Sequence, residues 1–238
     1  MDSPMDRPGQ ADPDTSSEDR NDIPEGRAAL STKLVALHRP ESPEAESLAA
    51  LRNHLIGHHL RDRRRALAVV GPTSGVGTTF ISVNLAISMA QAGVRTLLID
   101  GNLRSPGVSE LISPVRATAG LAEFLADADD DAKVMLHEAR TNLHVLFAGH
   151  AAANPSDLLA LHRFRDLIDK SIRRFDLTIV DCPPAAHYGD ARRIASLMRH
   201  ALIIACKNRT LTNDLKALIR DLEEDRVNVI GSFLNNVP

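Results

Sequence analysis

Five short runs, ALAVVG, RTLLID, LHVLFAG, LTIVDCPP and ALIIACK, have centres that are apolar at consecutive positions. Strands with one wet face alternate apolar and polar residues. Strands covered on both faces do not. Between these runs lie segments with helical periodicity, among them TTFISVNLAISMAQAG, NPSDLLALHRFRDLIDKSIRRF, ARRIASLMRH and TLTNDLKALIRDLEEDR. VNVIGSFLNNV closes the chain as a further strand. A chain that alternates in this way folds as a doubly wound α/β domain, a mostly parallel sheet with helices on both faces. Asn154-Pro155 marks the start of one helix, predicted to run unbroken to Phe175, and Gly93 the end of another.

The first 40 residues read differently. They are rich in Asp, Glu, Pro, Ser and Gly and poor in large apolar residues, and are expected to form a disordered acidic tail. The folded domain is expected over residues 41–238. SPEAESLAALRNHLIGHHL opens it as a helix, with Ser42 or Glu44 near the cap. The net charge of −3 carries no nucleic-acid signature. Cys182 and Cys206 match no metal or redox spacing, as in a protein from a reducing compartment. There is no apolar leader and no run long enough for a membrane span, so a cytoplasmic protein is expected. RDRRR, Arg61 to Arg65, reads as a solvated helix end or as a contact with an acidic membrane surface or partner segment. His54, His58 and His59 include an i,i+4 pair, without the further ligands a metal needs.

The chemistry gathers at three points. GPTSGVGTT, Gly71 to Thr79, lies between a strand and a helix, where free backbone N–H groups and the helix dipole attract an anion. Gly75, Val76, Gly77, Thr78 and Thr79 form a candidate phosphate cradle. Thr79 holds the position from which a hydroxyl binds magnesium. Measured against G-x-x-x-x-G-K-[ST], the first glycine is Pro72 and the lysine is Thr78. A dinucleotide loop would need glycine at position 80, and Phe80 is there. Asp100 ends the strand LLID. Asp181 ends LTIVD, which has the form of a Walker B strand whose carboxylate holds magnesium. Thr79, Asp100 and Asp181 are the candidate magnesium ligands for ATP or ADP.

With these motifs in order, the chain from about Ser42 onward resembles the bacterial tyrosine kinase family of the CpsD/CapB type, a branch of the MinD/ParA-like P-loop NTPases. SPEAESLAALRNHL is similar to the family's SPxAExxRxLRTNL, and LLIDGNLRSP to its Walker A′ motif L-L-I-D-x-D-x-R-x-P. ANPSDLL, DCPPAAHYGDA and FLNNV are similar to its NPxELL, D-T-P-P…D-A and closing L-N segments. The resemblance implies ATP with magnesium and a role in exopolysaccharide or capsule export. It also implies a membrane partner, the cytoplasmic segment of a Wzz-like polysaccharide co-polymerase, with homo-oligomerisation. If the protein is active, Asp100, Asp181 and Arg104 are the catalytic candidates, with Asp100 orienting or deprotonating the acceptor. The departures fall on that chemistry. Thr78 replaces the lysine, and Asn102 replaces the second Walker A′ aspartate. Ala49 interrupts the motif E-x-x-R-x-x-R between Glu46 and Arg52. There is no C-terminal tyrosine cluster, and the lone Tyr188 is a poor stand-in. The signature lysine of the partitioning ATPases would fall on Thr73 and is missing too. Two functions stay open: a catalytically weak regulatory module, and an active kinase or ATPase with a lysine-free loop.

Overall fold

The computed structural model describes residues 23, 25–115, 119–127 and 132–236. In chain order the elements are β1 (Glu25–Gly26), β2 (Ala28–Leu30), α1 (Val35–His38), α2 (Pro43–His54), β3 (Ala66–Val70), α3 (Thr78–Gln91), β4 (Thr96–Asp100), α4 (Val108–Leu111) and β5 (Ile112–Pro114). There follow α5 (Leu121–Ala126), β6 (Met135–Glu138), β7 (Leu143–Leu146), α6 (Pro155–Ala160), α7 (His162–Arg174), β8 (Leu177–Asp181), α8 (Asp190–Met198), β9 (His200–Cys206), α9 (Thr212–Glu224) and β10 (Asn228–Asn235).

Eight strands form one sheet in the order β1-β6-β7-β4-β8-β3-β9-β10. Its pairs are parallel except β6 with β7, where a tight turn joins the two strands. The apolar runs behave as double-sided strands. In β3, Ala66, Ala68 and Val70 pack on one face, while Leu67 and Val69 pack on the other. The first face is covered by Phe124 of α5, Leu159 of α6, Phe164 and Leu167 of α7, Ile194 of α8 and Leu218 of α9. The opposite face is covered by α3, which is buried all round from Ile81 to Ala90 because α2 and α1 lie over it.

Three expectations need correcting. Residues 1–22 and 24 lie outside the described residues, but the stretch from Glu25 to His38 assigned to the tail carries β1, β2 and α1. Leu34 and Val35 are buried there, and the Ala36 amide donates to Asn84 Oδ1 of α3 at 3.1 Å. Two large apolar side chains and one satisfied amide dock a segment whose average composition is polar. The long helix after Asn154 is two helices, α6 and α7, because Leu161 is extended (φ −62°, ψ 147°). The opening helix passes directly into a π turn over Leu55–Leu60. As expected, Ser42 caps α2, its hydroxyl accepting from the Ala45 amide at 3.2 Å.

Candidate functional site

β4, β8 and β3 lie side by side, and each carries one motif at its C-terminal end. Asp181 is registered with Asp100 on one side and Val69 on the other. The sheet alone therefore brings the second acidic strand between the first and the phosphate loop. Ligands bind at this edge of such sheets.

The loop is held open by backbone geometry. Gly75 has φ +73° and Gly77 φ +92°, both in the left-handed region. Gly77 also has no room for a side chain, because a Cβ there would lie 2.2 Å from the Asn235 amide nitrogen. Asn235 Nδ2 donates to the Val76 carbonyl at 3.0 Å, and Arg209 Nη1 to the Gly75 carbonyl at 2.7 Å. Two consecutive carbonyls of the loop are thus tied to side chains from the turn after β9 and the end of β10. That leaves the loop's other groups to line a cavity of about 450 Å³ with Thr79, Asn102, Arg104 and Tyr188.

Asp181 is fully buried, and Thr79 Oγ1 donates to its Oδ2 at 2.6 Å. Ser82 Oγ donates to the other oxygen at 3.0 Å. Ser82 was not singled out from sequence. It lies one helical turn after Thr79 and therefore on the same face of α3, a spacing that would have found it. Burial pushes the Asp181 carboxyl well above the ordinary carboxylate range, and the neighbouring Asp100 charge pushes the same way. No cation is paired with Asp181 among the described residues. A buried carboxylate beside a threonine hydroxyl at a helix start fits a magnesium ion shared with a nucleotide phosphate. No group of three or more His, Cys, Asp or Glu is arranged for a protein-only metal site among the described residues. That includes the His54, His58 and His59 segment.

Asp100 is also fully buried, but its oxygens are engaged differently. Oδ1 accepts from the Asn102 amide at 3.1 Å. Oδ2 accepts from the amides of Gly107 and Val108, each at 3.1 Å. Burial raises its carboxyl to about 6 against the pull of these donors. These three bonds make the Asp100 carboxylate a tie for the 101–108 loop, with one lone pair of Oδ1 left over for any further role. Thr79 and Asp181 are the side chains that could hold a magnesium ion, whereas both Asp100 oxygens accept from backbone amides. Asn102 closes the turn that follows Asp100, its Oδ1 accepting from the Ser105 amide at 3.2 Å.

Arg104 reaches the cavity as part of a network. Its Nε donates to Asp190 Oδ2 at 2.9 Å, and its Nη2 to Ser156 Oγ at 2.9 Å. Ser156 Oγ in turn donates to Asp190 Oδ1 at 2.6 Å. The guanidinium lies 3.9 Å from the centroid of Tyr188, a cation–π contact. Tyr188, discounted from sequence, lines the same cavity as the phosphate loop and is 42% exposed. Arg209 and Asn235 were also missed as site residues. Arg209 comes from the turn after β9 and Asn235 from the end of β10, and only the folded sheet brings them to the loop. The Arg61 to Arg65 run is mostly a solvated turn, with Arg64 paired to Asp62 at 3.2 Å.

The family description "AAA domain" matches residues 64–225. The kinase domain of the Escherichia coli tyrosine kinase ETK superposes with a TM-score of 0.81 at 31% identity, over 86% of this chain and 80% of that one. The chain belongs to the bacterial tyrosine kinase family. Tyrosine-protein kinase etk of Escherichia coli strain K12 is 32% identical over 86% of this chain. The chain spans 28% of that protein's length. The cobyrinic acid a,c-diamide synthase of Mycobacterium smegmatis, solved with an ATP analogue and magnesium, has a TM-score of 0.61 at 17% identity. That alignment covers 71% of this chain and 74% of the other, and it reflects the shared P-loop fold. Among the described residues no helix is long and apolar enough to cross a membrane.

Proposed function

We propose that this chain is a nucleotide-binding regulatory module of exopolysaccharide or capsule production, with little or no phosphoryl transfer of its own. It would dock on the cytoplasmic segment of a membrane polysaccharide co-polymerase and report nucleotide state to it. One observation carries the reading: Thr78 stands at the lysine position of an otherwise assembled cradle, with Thr79 and Asp181 joined at 2.6 Å beside it. Backbone N–H donors and the α3 dipole bind phosphate without help from residue 78. Charge neutralisation in a phosphoryl-transfer transition state does depend on that lysine. Affinity should therefore survive better than catalysis.

Thr79 and Asp181 would hold the magnesium, and Gly75, Val76 and Gly77 would bind phosphate oxygens through their amides. Bound ATP with magnesium supplies the phosphoryl group that an active relative would transfer. Here Asp100 keeps the 101–108 loop in position, and Asn235 holds the Val76 carbonyl. The test is incubation with Mg-ATP, alone and with a co-polymerase's cytoplasmic segment, followed by measurement of phosphate release and phosphotyrosine. Binding without either product is expected. Phosphate release, or phosphotyrosine on Tyr188 or the partner segment, would overturn the regulatory reading.

One observation favours the second reading, an active kinase or ATPase. Tyr188 shares the cavity with the phosphate loop and is held by Arg104. If the protein is a kinase of its own chain, phosphotyrosine forms at Tyr188 and is lost in Tyr188→Phe.

A further inference from the structure

β9 ends in a compact turn. The amides of Arg209 and Thr210 donate to the Cys206 carbonyl at 3.2 and 2.9 Å, and Thr210 Oγ1 accepts from the Cys206 amide at 2.8 Å. Asn208 adopts the left-handed conformation that closes it, φ +61°. The Lys207 amide ties the turn to β10 through the Asn235 carbonyl at 2.9 Å. This turn sends Arg209 to the phosphate loop, where its Nη1 donates to the Gly75 carbonyl at 2.7 Å. A Cβ on Gly75 would lie 2.9 Å from the same nitrogen, so the guanidinium covers that point of the loop.

A carbonyl needs a donor but not a cation. Asn235 holds the next carbonyl with a neutral amide. Arg209 brings a full positive charge to do the same work, and among the described residues no carboxylate pairs with it. Arg104, which lines the cavity, is committed to the buried Asp190. The loop therefore lacks a lysine inside it and has an unneutralised guanidinium against its outer edge. Guanidinium carries five donors in a planar fork suited to phosphate, and one of them is used here.

We propose that Arg209 supplies, from the turn after β9, the positive charge that the phosphate loop lacks at Thr78, and so makes this lysine-free loop able to bind the phosphates of a nucleotide. This rests on the nucleotide-binding reading above.

The test is titration of Mg-ATP and Mg-ADP into wild type, Arg209→Gln and Arg209→Lys, with and without Thr78→Lys, together with the melting temperature of each protein without nucleotide. Gln keeps a donor for the Gly75 carbonyl and removes the charge. The expected result is a loss of about tenfold or more in affinity for Arg209→Gln, with an unchanged melting temperature and a smaller loss for Arg209→Lys. The Arg209→Gln deficit shrinks at high salt. Thr78→Lys gains more affinity in the Arg209→Gln background than in wild type, because the two charges do the same work. If wild type binds and Arg209→Gln binds equally well, the inference fails and the nucleotide site stands. If Arg209→Gln melts lower and Arg209→Lys binds as weakly as it does, Arg209 is a structural pin and the inference fails. If wild type binds no nucleotide at millimolar concentration, the nucleotide reading fails and the inference falls with it.

Discussion

Asp181→Asn separates what the buried carboxylate does for function from what it costs the fold. The side chain is fully buried, lies beside Asp100 and faces two hydroxyls. In the unfolded chain it ionises at its ordinary 3.8, while burial in the folded protein raises that to about 8. Between these values the folded state holds a proton that the unfolded state releases, so stability falls as pH rises through the window. At neutral pH the gap is roughly three units, or about 4 kcal/mol. Asparagine is neutral in both states and removes this penalty. Its poorer match to the Thr79 and Ser82 hydroxyls offsets about 1–2 kcal/mol of the gain. The net gain of about 2–3 kcal/mol corresponds to a melting temperature higher by roughly 4–12 °C for a domain of this size. Differential scanning calorimetry without nucleotide reads this directly. The same variant should lose the extra stabilisation that magnesium adds to a nucleotide. A lower melting temperature, or a magnesium effect equal to wild type, would refute the argument that Asp181 is a strained carboxylate kept for a cation.

Magnesium-dependent stabilisation by ADP should grow between pH 6 and pH 8. The raised carboxyls of Asp181 and Asp100 must lose their protons before a cation is bound beside them. A flat profile in thermal shift assays across that range would contradict this. Gly77→Ala should abolish nucleotide binding and cost about 1–3 kcal/mol in stability, because φ +92° is strained for alanine and its Cβ meets Asn235. Urea unfolding with a midpoint equal to wild type would count against that geometry. Leu34→Ala should cost about 2–4 kcal/mol, as expected for a leucine buried under α1. A loss below about 0.5 kcal/mol, the size of an ordinary surface substitution, would mean that the segment before α2 is not packed.

The central strands were legible because burial on both faces leaves consecutive apolar positions at the centre of the run, and β3, β4, β8 and β9 have that form. That the loop, Thr79 and Asp181 meet at one edge was legible because each motif sits at the C-terminal end of an apolar strand of a parallel sheet. Other features needed the folded chain. β6 is four residues, MLHE, with two polar positions, so it lacks the signal of a central strand. The apolar pattern of α6 runs on into α7, and nothing in its periodicity announces the break at Leu161. Composition averaged over the first 40 residues hides Leu34 and Val35. Asp100 has the correct position at a strand end, but its role depends on the amides of Gly107 and Val108, which only a returning loop brings to it. Arg209 and Tyr188 each lie far in sequence from the loop they meet in the fold.

The central claim is that the loop still binds nucleotide without its lysine. Isothermal titration of Mg-ATP and Mg-ADP into the wild-type protein, run beside Thr78→Lys, tests it most directly. The account predicts binding by wild type in the micromolar range and about tenfold or more tighter binding by Thr78→Lys. No heat from wild type at millimolar nucleotide, with binding gained only in Thr78→Lys, would contradict it and leave a scaffold that has kept the shape of the cradle without its ligand.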